Sequence, residues 1–263
     1  MPRTDTTRYT FLFATAICVA CALLIAVSAV GLHSRQEANA LLYRQKNVLL
    51  AAGLAGPDED LSEREILKRF DERIGVRLVD LATGALVPEG RQDAKSYDQR
   101  KARNDPAQSR AAPANPALVS RLPHLATVYL VNKDGRVEQV VLPIEGMGMW
   151  GTLYGFIALG RDGNTVRGLT FYEQKETPGL GGEIGNPRWQ ALWLGRKVYD
   201  ANWEPALAVI KGTAGKPDVD PNRIDGLSGA TITSNGVSRL MKFWMSQDGW
   251  APFLRQLREG KAG

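Results

Sequence analysis

The chain of 263 residues is 44% hydrophobic and 23% charged with a formal net charge of +5, a globular composition that excludes collagen-like, disordered and disulfide-scaffold classes. Lysines and arginines are scattered among acidic residues without a basic and aromatic stripe, so nucleic acid is not an expected partner. The two cysteines, Cys18 and Cys21, both fall in one uncharged run, where they read as membrane-buried small residues, because a thiolate in hydrocarbon is costly.

Residues 1–10 are expected to form an N-terminal tail. From Phe11 to Leu32 there is no charge, and as a helix that run would be about 33 Å long against a hydrocarbon core of about 30 Å. The segment 11–32 is therefore read as one transmembrane anchor. A cleavable signal peptide competes, since Val27-Ser28-Ala29 has small-residue cleavage spacing, but the run is long for a signal sequence. Arg3 and Arg8 precede the span and Arg35, Arg44 and Lys46 follow it, so charge leaves its orientation open.

Residues 33–60 read as a stalk helix and linker, with Leu41, Leu42, Val48 and Leu49 at helical spacings. The remainder, 61–263, reads as one soluble domain. Ser62 and Glu65 form a capping-box pair ahead of Ile66, Leu67, Phe70 and Ile74 on one helical face. "VRLVDLATGALV" suggests two short strands, and the polar stretch from Arg91 to Asn115 an exposed, mobile insertion. "ATVYLV" and "RVEQVVLPI" make a hairpin across "NKDG". "GTLYGFIALG" and "VRGLTFYEQ" make another, with Asp162-Gly163 expected to supply positive φ angles. Asn186 and Pro187 open a short helix, "PALAVIKG" is a short strand, and Val237, Leu240, Met241 and Trp244 mark a helix beginning near Val237, followed by a last one with Phe253 and Leu257. The fold class expected is α+β, a largely antiparallel sheet with flanking helices, preceded by one N-terminal transmembrane helix.

Two stretches could carry chemistry. His33 and His124 are far apart and lack ligand-spaced partners, so no metal site is expected. "KETPGLGGEIGNP" gathers Gly179, Gly181, Gly182 and Gly185; it is either an irregular surface loop or a backbone that approaches a flat ligand closely. "RIDGLSGATITSNG" places Ser228, Thr231, Thr233 and Ser234 ahead of a helix, where they either cap it or hold an anion such as phosphate. Spacing does not choose among the four hydroxyls.

The same residues resemble a known family. Asp225-Gly226-Leu227-Ser228-Gly229-Ala230-Thr231 matches the D-G-x-S/T-G-A-T flavinylation motif of FMN-binding domains, in which the final threonine is esterified to the FMN phosphate. Glu176-Thr177-Pro178-Gly179-Leu180-Gly181 matches a second motif, a loop against the flavin, and "GMGMWGTLYGFIAL" is similar to the C subunit of sodium-translocating NADH:quinone reductases. The resemblance covers most of the chain but not the 91–115 insertion.

It implies an electron-carrier subunit of an oxidoreductase and translocase, with covalent FMN on Thr231, relaying electrons from NADH toward ubiquinone in a sodium-pumping complex. Asp225, Ser228, Gly229 and Ala230 would form the turn that a flavin transferase reads. Glu176 and Gly181 would belong to the flavin loop, with Thr177, Gly179 and Leu180 lining the isoalloxazine. Trp150 and Tyr154 are either core or near the ring. No catalytic proton-transfer pair is required. The implied partners are the other subunits, the flavin transferase and the membrane; the implied place is the bacterial inner membrane, single-pass, with the domain on the periplasmic side. The alternatives are the G subunit of the related Rnf ferredoxin:NAD complex, which is not expected to have the "GMGMWG" loop, and a non-redox membrane-anchored binding module.

Overall fold

The computed structural model describes residues 7–261. Residues 1–6 of the expected tail lie outside the described residues, and Thr7–Thr10 already belong to helix α1 (Thr7–Ala51). Two compact units divide after Arg44. In the first, α1 carries a stretch of mean hydropathy 2.6 with none of it buried; it is the one helix among the described residues long and apolar enough to cross a membrane. In the second, the end of α1 is core, with Val48, Leu49 and Ala51 fully buried.

Helix α2 (Glu63–Arg73) begins as its sequence dictates. The Ser62 hydroxyl accepts from the Glu65 amide, and the Glu65 carboxylate accepts from the Ser62 amide. Ile66 and Phe70 are buried, but Leu67 is exposed and Ile74 already starts strand β1 (Ile74–Asp80). The second strand expected in this region reduces to a single bridge between Val79 and Leu86.

The polar insertion expected to be exposed is instead partly folded. It holds α3 (Gln99–Asn104) and β2 (Ser109–Ala111), which pairs with β3 (Arg121–Pro123). Ala102 and Ser109 are buried. Its composition hid this because polar contacts do the packing: the Arg100 guanidinium lies 3.6 Å from the centre of the Tyr154 ring and donates to Glu173 at 2.7 Å, while Arg103 donates to Glu145 at 2.6 Å.

Strands β4 (Leu125–Lys133), β5 (Arg136–Met147), β6 (Thr152–Gly160) and β7 (Val166–Glu173) complete an antiparallel sheet in the order β1-β4-β5-β6-β7. The two positive-φ residues of a tight hairpin occur at Asp134 and Gly135. In the second hairpin only Gly163 has positive φ; Asp162 instead folds its carboxylate back onto the Asn164 and Thr165 amides.

After the 3-10 helix Gly181–Gly185 come α4 (Pro187–Ala191), β8 (Ala208–Val209) and β9 (Arg223–Ile224), then α5 (Thr231–Trp244) and α6 (Ala251–Arg258). The β8 and β9 pair is parallel. Helix α5 begins at Thr231, well before the Val237 that its apolar spacing marks, because its first turn is polar on one side and packed on the other. Both faces of the sheet are covered, which is why β6 reads as almost continuous apolar sequence. Leu153, Ile157 and Leu159 belong to a core that includes Val237, Leu240 and Trp244 of α5. Phe70, Tyr129, Phe156 and Tyr172 make a separate chain of ring contacts, with Phe156 and Tyr172 stacked at 4.9 Å. Burying a large side chain such as Phe70 or Phe156 contributes about 1.5–3 kcal/mol by taking it out of water.

Candidate functional site

The loop after β7 turns on the Thr177 carbonyl, which accepts from the Leu180 and Gly182 amides at 3.1 and 2.9 Å. At its start Glu176 is buried. One carboxylate oxygen accepts from the backbone amides of Met149 and Trp150 at 3.0 and 2.9 Å, and the other accepts from the Thr233 hydroxyl. The neighbours must be small for this to fit. A Cβ on Gly148 would lie 2.6 Å from Glu176 Oε1, and one on Gly181 would lie 2.5 Å from the Thr233 hydroxyl oxygen.

The Asp225–Thr231 motif is held from another direction. Asp225 accepts from the Ala214 amide at 2.8 Å, and its carbonyl accepts from the Trp189 indole at 3.0 Å. The Gly226 amide donates to the Gly212 carbonyl at 2.8 Å, so the 210–214 segment lies along the motif. Gly229 has φ +69, and a Cβ there would meet Leu180 at 2.9 Å. The Glu176–Gly181 loop therefore meets the other stretch twice, at Leu180 with Gly229 inside the motif and at Glu176 with Thr233 just after it.

Burial sorts the four hydroxyls. Thr233 is buried on Glu176, and Ser234 is buried with its hydroxyl accepting from the Leu227 amide. Ser228 and Thr231 are exposed. Thr231 is the first residue of α5, whose N-cap, Ala230, is buried and provides no side-chain acceptor. The first amides of a helix have no intrahelical partner and favour an anion. A cavity of about 490 Å³ opens at this point, lined by Lys211, Thr213, Ser228, Thr231 and Asn235 among others. An ammonium, hydroxyls and uncapped helix amides form a donor set that fits a phosphate group. The motif segments also expose Met149, Trp150, Leu180 and Ile232, apolar surface that suits a flat ring.

Of the expected site residues, Asp225, Ser228, Gly229 and Thr231 line this cavity and Ala230 is buried beside it. Glu176, Thr177, Gly179, Leu180 and Gly181 sit on the abutting loop, with Thr177, Gly179 and Leu180 exposed. Trp150 is exposed and not core, whereas the Tyr154 ring is taken by Arg100. Sequence reasoning missed Lys211 and Thr213, and the paired roles of Thr233 and the Met149 and Trp150 amides. The only signal for the first was Lys211-Gly212 at the end of a short strand; the second requires knowing that distant loops meet.

Residues 148–246 match the family model described as an FMN-binding domain. The chain is 43% identical over 270 residues to the C subunit of the Na(+)-translocating NADH-quinone reductase of Pseudomonas aeruginosa, covering 100% of both chains. It is 41% identical over 262 residues to the same subunit of Vibrio vulnificus strain YJ016, covering 99% of each. Among solved structures, Shewanella oneidensis NqrC superposes with a TM-score of 0.77 at 31% identity, over 84% of this chain and 99% of that one. The corresponding subunit from Parabacteroides distasonis gives 0.64 at 29% identity, over 85% and 96%.

Proposed function

The chain belongs to the family of Na(+)-translocating NADH-quinone reductase C subunits, and from that membership we propose that it holds FMN covalently, as a phosphoester on the Thr231 hydroxyl. It is a flavin electron carrier of an oxidoreductase complex and works with the other subunits of that complex. Helix α1 fits a single-pass anchor in a bacterial membrane.

The observation that carries the reading is the exposed Thr231 hydroxyl at an uncapped helix start beside Lys211. Attachment forms one bond, between Thr231 Oγ and the flavin phosphorus. A flavin transferase would supply the phosphoryl group from an activated flavin nucleotide, whose leaving group departs as the hydroxyl proton is lost. Lys211 and the first amides of α5 would receive the phosphate oxygens. Met149, Trp150 and Leu180 would border the ring, with Thr177, Gly179 and Gly181 shaping the loop that carries it. Asp225 and Gly229 hold the turn, and Ser228 and Ala230 complete it. FMN, once bound, supplies reversible one- and two-electron transfer. A tether removes dissociation as a way for a carrier to fail.

In this reading the FMN-bearing unit faces the periplasm, where the transferase acts. The test is expression of the full chain with a flavin transferase, denaturation in detergent, and in-gel flavin fluorescence. Wild type and Ser228→Ala give a fluorescent band and Thr231→Ala does not. A fluorescent Thr231→Ala band with a dark Ser228→Ala band would move the linkage to the other exposed hydroxyl. A dark wild-type band would end the covalent reading.

A further inference from the structure

Glu176 is a buried carboxylate whose partners are N–H and O–H donors rather than a cation. Burying a charge without a counter-charge is costly, and only good hydrogen bonds offset it. The three donors come from places far apart in the chain: the turn between β5 and β6, through Met149 and Trp150, and the first turn of α5, through Thr233. A Cβ at Gly148 would run into the Glu176 carboxylate and Leu153, and one at Gly181 into the Thr233 hydroxyl and the same carboxylate. We infer that Glu176 is the positioning residue of the site, a clamp that fixes how α5 is rotated and keeps a negative charge beside the flavin bed. The inference rests on the FMN reading above for what is positioned.

The rotation follows from helix geometry. Successive residues advance by about 100° around the axis, so Thr231 and Thr233 are about 200° apart. Drawing Thr233 inward onto Glu176 turns Thr231 outward, to the cavity and Lys211. The same carboxylate bonds the backbone of Met149 and Trp150, so the apolar border and the attachment hydroxyl are set by one group. Its second effect is electrostatic. A negative charge in a poorly solvated setting opposes adding an electron to a neighbouring flavin, so Glu176 holds the flavin's potential down.

Charge and geometry separate by substitution in the full-length chain expressed with the transferase. In Glu176→Gln the amide oxygen still accepts both backbone N–H groups and the amide N–H donates to the Thr233 hydroxyl. This variant is expected to label at the wild-type rate and to show a higher flavin midpoint potential. Glu176→Ala is expected to label at least ten-fold more slowly while keeping its circular dichroism. Hydrogen exchange on the unlabelled chain provides a readout independent of flavin: the Met149 and Trp150 amides should exchange at least ten-fold faster in Glu176→Ala and at the wild-type rate in Glu176→Gln. Should Glu176→Ala not fold, the potential of Glu176→Gln decides, and an unchanged potential overturns the electrostatic role. Wild-type exchange and labelling in Glu176→Ala overturn the clamp. An unlabelled wild type would end the covalent reading alone, and exchange would still decide the clamp.

Discussion

Lys211 and Asp225 are the charged side chains on the cavity wall, and the Asp225 carboxylate is already engaged by the Ala214 amide. Lys211 is the one cationic residue among those lining the cavity, which makes it the candidate cation for a phosphate. A charge-assisted hydrogen bond is worth about 1.5–3 kcal/mol, so Lys211→Ala should slow labelling of Thr231 by roughly 10- to 150-fold at limiting transferase, and Lys211→Arg should restore most of it. Equal rates in all three chains would remove Lys211 from the site. Asp162 offers a pH test away from it. Partial burial pushes its pKa up, but the Thr165 hydroxyl, the Thr165 and Asn164 amides and Lys197 together lower it from 3.8 to about 2. A folded-state pKa below the unfolded one stabilises the protein above pH 3.8 and loses that contribution as pH falls toward 2. Asp162→Asn should therefore flatten the fall in melting temperature across that window; an unaltered acid limb would show that ionisation of Asp162 is not linked to folding.

At the scale of elements, the legible parts were those built on apolar period or on a cap. The β4–β5 and β6–β7 hairpins, the Ser62 capping box and the buried face of α5 follow from residue pattern, because burial and local hydrogen bonds act within a few residues. What escaped were contacts made by polar groups over long separations. The 91–115 segment looked like loop since nothing in its composition shows Arg100 reaching Tyr154 and Glu173, or Arg103 reaching Glu145. The start of α5 was misplaced because its first turn is packed by Thr233 and Ser234, hydroxyls rather than apolar groups. The Asp225 to Thr231 motif was legible only by resemblance, and its cavity needed the 210–214 segment. Two elements give predictions. Arg103→Ala leaves the mostly buried Glu145 carboxylate without its cation and should cost ~2 kcal/mol in chemical denaturation, with Arg103→Lys recovering part. Gly229→Ala forces a Cβ into a left-handed residue and onto Leu180, and should cost about 1–2 kcal/mol and reduce labelling together. Undiminished stability in either variant would contradict the contact described.

At the scale of the molecule, the folded unit begins within α1, not after it. Val48, Leu49 and Ala51 are fully buried in that unit, which starts at Gln45. A chain starting at Gln45 should stay folded and monodisperse without detergent, whereas one starting at Gly53 loses two large buried side chains and should be destabilised by at least about 3 kcal/mol. Matching denaturation midpoints for the two would show that this helical turn is dispensable. The proposed periplasmic orientation is tested on the whole chain: protease added outside spheroplasts should cut the folded unit, and full protection would reverse the topology. The exposed Thr231 hydroxyl sits on a helix whose opposite side is closed core, with Val237, Leu240 and Trp244 at 0–1% exposure. On the proposed reading, the side of α5 that would carry the flavin is not the side that packs the core, so attachment would not require the core to open and could follow folding. A cell would then carry correctly built but colourless copies alongside competent ones. Occupancy per chain, and not protein abundance, would set how many assembled complexes conduct.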